Sequence, residues 1–453
     1  MITRRNILLG TAGVVFTSVL TGCQRVSAKA VKVILLEGSI PSEVLQTFRK
    51  QADEPISFQL VSQIASVFQQ LQAWQQALQD SDQDSDQSSG FSIARFLPWV
   101  PSKAVPRPDD LVSLGDYWLE GAIAQNLIEP LSLPAASLEK LPPNWQQFAR
   151  RTAQGEMAAE GSLWAVPYKV QPLVIVYRQS QFPQSSASNP PFTSWRDLLR
   201  PQFRQSLALP DHPRIVIGLA QKIQSGSFNP VLEGYSSDSK GVIRIPATEN
   251  SSGNSSGNSS GNSSGNSSGS SAALNGRLTE GIDSALADTF AQLNQQVKTY
   301  DSDNSLKALV NEDVKAVVCW SGDAVAAARR YSDLRIVVPP EGSLLSLDMW
   351  VRPQSPQSNG SGPKSSSEMS AAARQWIDFC WQREPAIQIS LSGKGLSPIF
   401  LQTGIDLPKT LSASFPFIEA IEKSEPLLPI PQRLQAAYLE LWKQLRSGLA
   451  LAR

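Results

Sequence analysis

VCWSGDAVAAARRYSDLRIVVPPEGSLLSLDMWVRP, from Val318 to Pro353, shows a clear alternation of strand and helix patterns. One apolar run ends at Trp320, and a Ser-Gly-Asp turn then leads into an alanine-rich helix pattern. A second run ends in Pro-Pro-Glu-Gly, and a third carries a single acid, Asp348. Strands that alternate with helices predict an α/β sheet, in which ligands bind outside the carboxyl ends of the strands. The tryptophan and the carboxylate at these strand ends are therefore candidates for a binding site.

The same alternation continues through the rest of the chain. Compact apolar runs at 31–36 and 56–61 are each followed by a helical pattern, as in a parallel α/β sheet. Two further runs, 163–168 and 173–177, predict a pair of strands that passes between lobes. Because 453 residues are too many for one ordinary core, we expect two lobes.

The composition argues against several classes of function. Lysine plus arginine equals aspartate plus glutamate, 40 each, and zero net charge argues against a nucleic-acid-binding protein. His212 is the single histidine, which excludes a histidine-rich metal site, and no nucleophile elbow or phosphate-binding loop is present. Cys319 and Cys380 lie in apolar settings that predict buried thiols rather than a disulfide. We expect a ligand-binding protein that has no catalytic residues, metal or cofactor.

The N-terminal residues predict export and lipid attachment. An arginine pair precedes an apolar run at 7–20, which is too short to anchor the chain as a membrane span. The run ends in Leu-Thr-Gly-Cys23, which is similar to a bacterial lipobox, whose cysteine is acylated. We expect 1–23 to be a signal peptide and 24–30 a tether, which places a lipoprotein on the periplasmic side of the envelope. Twin-arginine and general export, and inner and outer membrane, stay open.

Four stretches of the chain resemble the spermidine/putrescine-binding components of bacterial ABC importers. They are LWAVPYKVQPLVIVYR, SWRDLLRPQFRQSLALPDHPRIVIGLA, VKAVVCWSGDA and VVPPEGSLLSLDMWVRP. The resemblance implies an α/β, two-lobed periplasmic-binding-protein (Venus flytrap) fold in which the chain crosses between the lobes more than once. It also implies a monomer without enzymatic activity, which captures a small solute and delivers it to an ABC permease.

The predicted lobes divide the chain at the crossings. We assign 31–171 plus 346–395 to lobe 1, and 172–345 plus 396–453 to lobe 2. The Ser/Gly/Asn repeat at 250–271 has no apolar side chains to bury, so we expect a disordered insertion in lobe 2.

The resemblance also implies site residues. Trp320 matches a tryptophan that stacks on the polyamine chain, Asp348 an aspartate that pairs with an ammonium group, and Tyr117 falls where the family has a binding tyrosine. The family's tryptophan two positions before this aspartate is Ser346 here, and Trp350 is a hypothetical replacement for the missing ring.

Further polar residues at strand ends complete the candidate site: Glu37, Ser39, Asp116, Asp211 and Asp323. The family's two acids after the strand at Leu207 fall on His212 and Ile215, beside Asp211. Structural alternatives are that Asp323 stabilises a helix N-terminus, that Asp116 caps its helix and that Trp320 belongs to the core. Because a buried ammonium without a partner is costly, a polyamine-like cation needs acids at both ends.

Two other functions stay open on the sequence alone. The same fold can hold a different solute, such as an amino-acid derivative, a sugar or a ferric complex. A lobe pair with altered cleft residues can also serve as a scaffold or sensor in the envelope without transport.

Overall fold

The computed structural model describes residues 30–86, 110–186, 189–230, 236–237, 243–244, 284–354, 369–392, 394–402, 404–415 and 418–446. The predicted signal peptide, Cys23 and the insertion at 250–271 lie outside these residues. Within the described ranges, no helix is long and apolar enough to cross a membrane.

Most of the described strands belong to one sheet. In chain order the strands are β1 (Val31–Leu36), β2 (Ile56–Val61), β3 (Leu111–Gly115), β4 (Ile128–Glu129), β5 (Arg150–Arg151), β6 (Ser162–Leu163), β7 (Ala165–Arg178), β8 (Leu207–Leu209), β9 (Ser236–Ser237), β10 (Ile243–Arg244), β11 (Val297–Tyr300), β12 (Ala316–Trp320), β13 (Leu334–Val337), β14 (Leu344–Pro353) and β15 (Glu425–Pro426). The main sheet runs in the order β11-β8-β12-β7-β14-β3-β1-β2, with β13 on β7, and with β4 and β15 on β14.

The helices fall between these strands, as the alternating pattern predicts. In chain order they are α1 (Ser42–Gln51), α2 (Ile64–Asp86), α3 (Asp116–Ala124), α4 (Ala135–Leu138), α5 (Pro143–Ala149), α6 (Pro213–Ser225), α7 (Ser284–Gln296), α8 (Ser305–Val310), α9 (Ser321–Arg330), α10 (Ala371–Cys380), α11 (Arg383–Ser392), α12 (Lys409–Ser414), α13 (Ile418–Ile421) and α14 (Gln432–Arg446). Short 3-10 helices span Gln179–Gln181, Trp195–Leu199, Pro201–Phe203 and Pro398–Leu401. In α14 the buried side chains Leu434, Tyr438, Leu441 and Leu445 recur at helical spacing, which gives one apolar face.

Two long strands, β7 and β14, connect separate hydrophobic cores. Val166 and Val170 of β7 lie in the first core, whereas Leu173 and Ile175 of the same strand lie in the second. β14 begins in the second core at Leu344 and continues through the first. The expected α/β fold of two lobes with repeated crossings is therefore confirmed.

The predicted pair of strands at 163–168 and 173–177 is instead one strand, β7. Two prolines lie inside it. Pro167 faces Met349 at a register shift with β14, and Pro172 lies between the residues of the two cores. Proline cannot donate a ladder hydrogen bond, but such irregular positions tolerate it, so the prolines mark the crossing rather than the end of a strand.

The segment after α11 packs differently from the sequence-based division. Leu396, Phe400 and Ile421 lie in the first core, although 396–453 was assigned to lobe 2. The reason is a long-range pairing, since the backbone of Leu396 exchanges hydrogen bonds of 2.8 and 2.9 Å with Val170 of β7. The later helix α14 packs in the second core.

The Pro-Pro-Glu-Gly turn is hydrogen-bonded to the segment that begins at Ser194. The Glu341 carboxylate accepts hydrogen bonds of 2.8 Å from the Ser194 hydroxyl and the Trp195 backbone N–H. The Trp195 indole N–H donates to the Gly342 carbonyl at 2.9 Å. Gly342 has a φ of 87°, and a β-carbon there would collide with the Lys423 carbonyl. This turn therefore fixes the fold of the second lobe rather than a ligand.

Candidate ligand-binding site

Two of the predicted acids meet at the carboxyl end of β3. Asp348 of β14 lies opposite Gly115, the last residue of β3, and Asp116 begins α3 directly afterwards. An oxygen of Asp116 accepts the backbone N–H of Leu347 at 3.0 Å. The two carboxylates therefore lie close together, although Asp348 is in the middle of β14 rather than at a strand end.

Asp348 has a cationic partner from its own chain. On the side away from β3 it lies opposite Lys169 of β7, and Lys169 Nζ is 2.5 Å from Asp348 Oδ2. The two side chains are 2% and 11% exposed. That oxygen makes no aligned hydrogen bond, so the contact is an ion pair within the protein interior. Sequence reasoning missed Lys169, although a single lysine inside the apolar run AVPYKVQPLVIVY was a visible signal.

The Asp116 carboxyl titrates close to neutral pH. Burial raises its pKa from 3.8 to about 7, and the nearby Asp348 charge adds to the rise, while the Leu347 N–H and Arg151 oppose it. Arg151 is itself buried, and loss of hydration lowers its pKa to about 10, against the opposing effects of Asp116 and Glu120. A cation near Asp116 would therefore find a carboxylate above neutral pH and a neutral acid below it.

A buried tyrosine, Tyr168, lies near Asp348. The Tyr168 hydroxyl is 2.8 Å from the Ser113 hydroxyl, and burial, with a smaller contribution from Asp348, raises the pKa of Tyr168. Ser39, a predicted site residue, is buried beside this tyrosine. The ring of Trp350 stacks on Tyr168 at 4.4 Å and is fully buried in the first core. Trp350 is thus a core residue, and its suggested role as a replacement ligand ring is wrong.

Tyr117 reaches from the first lobe to the second. Its side chain is 45% exposed, and its ring meets the ring of His212 edge-on at 5.3 Å. His212 precedes α6, which packs in the second core, so this pair is a contact between lobes. Burial, and secondly Arg214, lowers the pKa of His212, which favours the neutral imidazole at this contact.

Trp320 and Asp348 flank β7 without touching. Trp320 lies opposite Leu173 of β7, four residues along the strand from Lys169, or about 13 Å. Residues directly opposite share a face of the sheet, and an even spacing along β7 keeps that face. Trp320 is half-buried against the second core. The two residues thus belong to one face of the crossing strands, on opposite sides of the lobe boundary.

The three other predicted acids differ in their surroundings: Glu37 follows β1, whose carboxyl end lies beside that of β3, and the other two form ion pairs. Asp211 forms an ion pair of 2.7 Å with Arg446 of α14, and Glu37 is exposed after β1. Asp323 pairs with Lys394 at 3.0 Å, and both side chains are about half exposed. The backbone of Lys394 also lies so close to Gly322 that a β-carbon on this glycine would collide with it. The Asp323 region thus joins the lobes.

The described residues hold no group of three or more histidine, cysteine or acidic side chains that could bind a metal ion. Cys319 and Cys380 are both buried and unbridged, as the sequence predicts.

Two α/β cores, joined by crossing strands with acids at the junction, define the class of two-lobed periplasmic binding proteins. The model of the bacterial extracellular solute-binding protein family matches residues 86–403, well over half of the chain, and the chain belongs to this family. No curated protein matches the sequence.

Solved structures with the same fold are distant in sequence. A spermidine/putrescine ABC transporter substrate-binding protein of Streptococcus pneumoniae is 17% identical, with a TM-score of 0.60 over 92% of this chain and 98% of that one. A putative spermidine/putrescine ABC transporter protein of Listeria monocytogenes is 18% identical, with a TM-score of 0.54 over 92% and 99%. The TpPotD lipoprotein of Treponema pallidum is 12% identical, with a TM-score of 0.51 over 92% and 99%. These similarities establish the fold.

Proposed function

We propose that this protein is the substrate-binding component of an ABC importer, anchored in the envelope through a lipid on Cys23, and that it captures a small, polyamine-like cation between its lobes. The observation that carries the proposal is the position of Asp116, which begins α3 at the carboxyl end of β3 and lies against the crossing strand β14. The family, and the similarity in fold to proteins of spermidine/putrescine ABC transporters, support transport of a small solute.

The proposed mechanism uses the two lobes as a clamp. In an open form the solute meets Asp116 and Tyr117 on the first lobe, where a carboxylate and a ring face favour an organic ammonium group. Closure brings the second lobe over it, with Tyr117 against His212 and Trp320 along the same face. The permease then recognises the closed form, and no covalent chemistry is required.

Calorimetric titration of the lipoprotein in detergent tests the capture of a cation. We expect saturable binding of putrescine, spermidine or another alkylammonium at pH 8, and roughly tenfold weaker binding at pH 6, because most of the Asp116 carboxyl is then protonated. Asp116→Asn should abolish the pH dependence and weaken binding, whereas Asp301→Asn, on a loop of the second lobe, should leave both unchanged. The absence of heat with every polyamine and amino acid tested, for a protein that still melts cooperatively, would remove the proposal.

The lipid anchor has a separate test. Cys23→Ser is expected to abolish labelling with radioactive palmitate and to move the protein from the membrane fraction into the soluble fraction of the envelope. Cys380→Ser, which changes a buried thiol of the fold, is the matched control and should stay labelled. Unchanged labelling of Cys23→Ser would show that the anchor lies elsewhere.

A further inference from the structure

Lys169 is an unusual residue for its place in the fold. It lies on β7 between buried neighbours, and its own side chain is 2% exposed. A buried ammonium is stable only with a close counter-charge, and Asp348 provides it at 2.5 Å. The positive charge of Lys169 is therefore balanced by one acid, Asp348.

The lysine stem is enclosed as a bound alkyl chain would be. Gly395 packs against it, and a β-carbon added to this glycine would lie 2.6 Å from Lys169 Cγ and 3.0 Å from its Cδ. The adjoining Leu396 is fixed by its backbone hydrogen bonds to Val170. The four-carbon side chain of Lys169 thus packs against Gly395, and its terminal ammonium group contacts the Asp348 carboxylate.

We propose that Lys169 is a specificity-determining residue, whose butylammonium group occupies the place beside Asp348 that the alkylammonium end of a solute would otherwise take. This inference rests on the proposed function, since it concerns the same junction of the lobes. It removes Asp348 from the acids that are available to the solute, so that the second amine of a diamine has no acid to meet at Asp348.

The proposal predicts chemical rescue. Lys169→Ala removes most of the enclosed chain and leaves the Asp348 carboxylate without its partner, with space for an exogenous n-butylammonium ion. We expect the melting temperature of the full lipoprotein to fall by about 5–10 °C. We expect 20 mM n-butylammonium to restore at least half of this loss, and n-butanol at the same concentration and ionic strength to restore little. The gain in the wild type, which keeps Asp116 as a site for the amine, should be much smaller than the gain in Lys169→Ala.

Matched variants separate the site from general salt effects. Lys394→Ala also breaks a lysine–aspartate pair, but an exposed one, and Lys169→Ala with Asp348→Asn removes the acid that the amine should meet. Both variants should gain no more from n-butylammonium than the wild type does. If Lys169→Ala does not fold alone, its refolding yield from urea with and without the amine is the readout. Equal effects of butylammonium and butanol on Lys169→Ala, or a gain from the amine as large in the double variant or in the wild type, would overturn the proposal.

The outcomes also distinguish this proposal from the proposed function. Rescue of Lys169→Ala by the amine, together with wild-type protein that binds no solute, would keep the internal ammonium and remove the importer role. Solute binding by the wild type without any rescue would do the reverse.

Discussion

Asp348→Asn is expected to lower the free energy of unfolding by about 3–5 kcal/mol, because it leaves the Lys169 ammonium buried without a counter-charge. The amide keeps the size of the carboxyl group, so the change in packing is small and the loss reports the missing charge. Urea denaturation at pH 8, followed by tryptophan fluorescence and by circular dichroism, measures the change. Agreement between the two signals would support a single transition for this comparison.

An exposed pair of the same chemistry provides the control. Asp323→Asn breaks the contact with Lys394, whose partners are about half exposed, and we expect a loss below about 1 kcal/mol. Replacement of both buried partners, Lys169→Met with Asp348→Leu, should recover much of the stability lost in Asp348→Asn, because no unpaired charge remains. Similar small losses for Asp348→Asn and Asp323→Asn would contradict a buried, charge-matched pair.

The ion pair with Lys169 changes the interpretation of Asp348, which the sequence predicts to be a ligand-binding acid. By resemblance, Asp348 is the acid that holds a ligand ammonium, and its type and position agree with that pattern. In this structure the same carboxylate is already paired with a lysine of the neighbouring strand. A matching side chain can therefore be present for the stability of the crossing strands, while the proposed capture of a cation depends on Asp116.

Much of the fold was predictable because local sequence patterns indicate its strands and helices. The strands β1 and β2 and the helix α6 follow directly from runs of apolar residues and their spacing. The division into lobes was predictable only in part. The prolines of β7 suggested two strands, and the pairing of Leu396 with Val170, which moves a C-terminal segment into the first core, has no local signal.

The candidate site was less predictable from the sequence than the fold was. The position of Asp116 was predictable, because ligands of α/β sheets bind outside the carboxyl ends of strands. Asp348 lies in the middle of β14 and meets Asp116 only through the antiparallel register with β3. The cations that pair with the other acids come from distant parts of the chain, such as Arg446 for Asp211, so the sequence could not distinguish a ligand residue from half of an ion pair. Only the register between β7 and β14 reveals the partner of Asp348.

Asp116→Asn is expected to stabilise the protein at pH 8 and to have little effect near pH 4. The ordinary pKa of this carboxyl is 3.8, and burial in the folded protein raises it to about 7. Between these values the folded state holds a proton that the unfolded state has lost, so this group's contribution to stability is present at acid pH and is lost as the pH rises through 7. Asparagine is neutral at every pH, and its side-chain oxygen can still accept the Leu347 N–H. The variant therefore does not lose this stability as the pH rises.

The expected difference is large enough to measure by denaturation. Between pH 5 and pH 8 the wild type should lose roughly 2–3 kcal/mol relative to Asp116→Asn, after allowance for the partial exposure of the side chain. Asp301→Asn gives a control of opposite sign, because backbone N–H groups of Asn304 and Asp303 lower the pKa of Asp301, so this substitution should destabilise at neutral pH. Parallel stability curves for the wild type and Asp116→Asn across this range would mean that Asp116 is ionised well below pH 7 and does not titrate at the site. Convergence of the two curves near pH 4, with a separation that grows between about pH 4 and pH 7, would instead identify Asp116 as the group whose charge makes the junction of the lobes sensitive to pH.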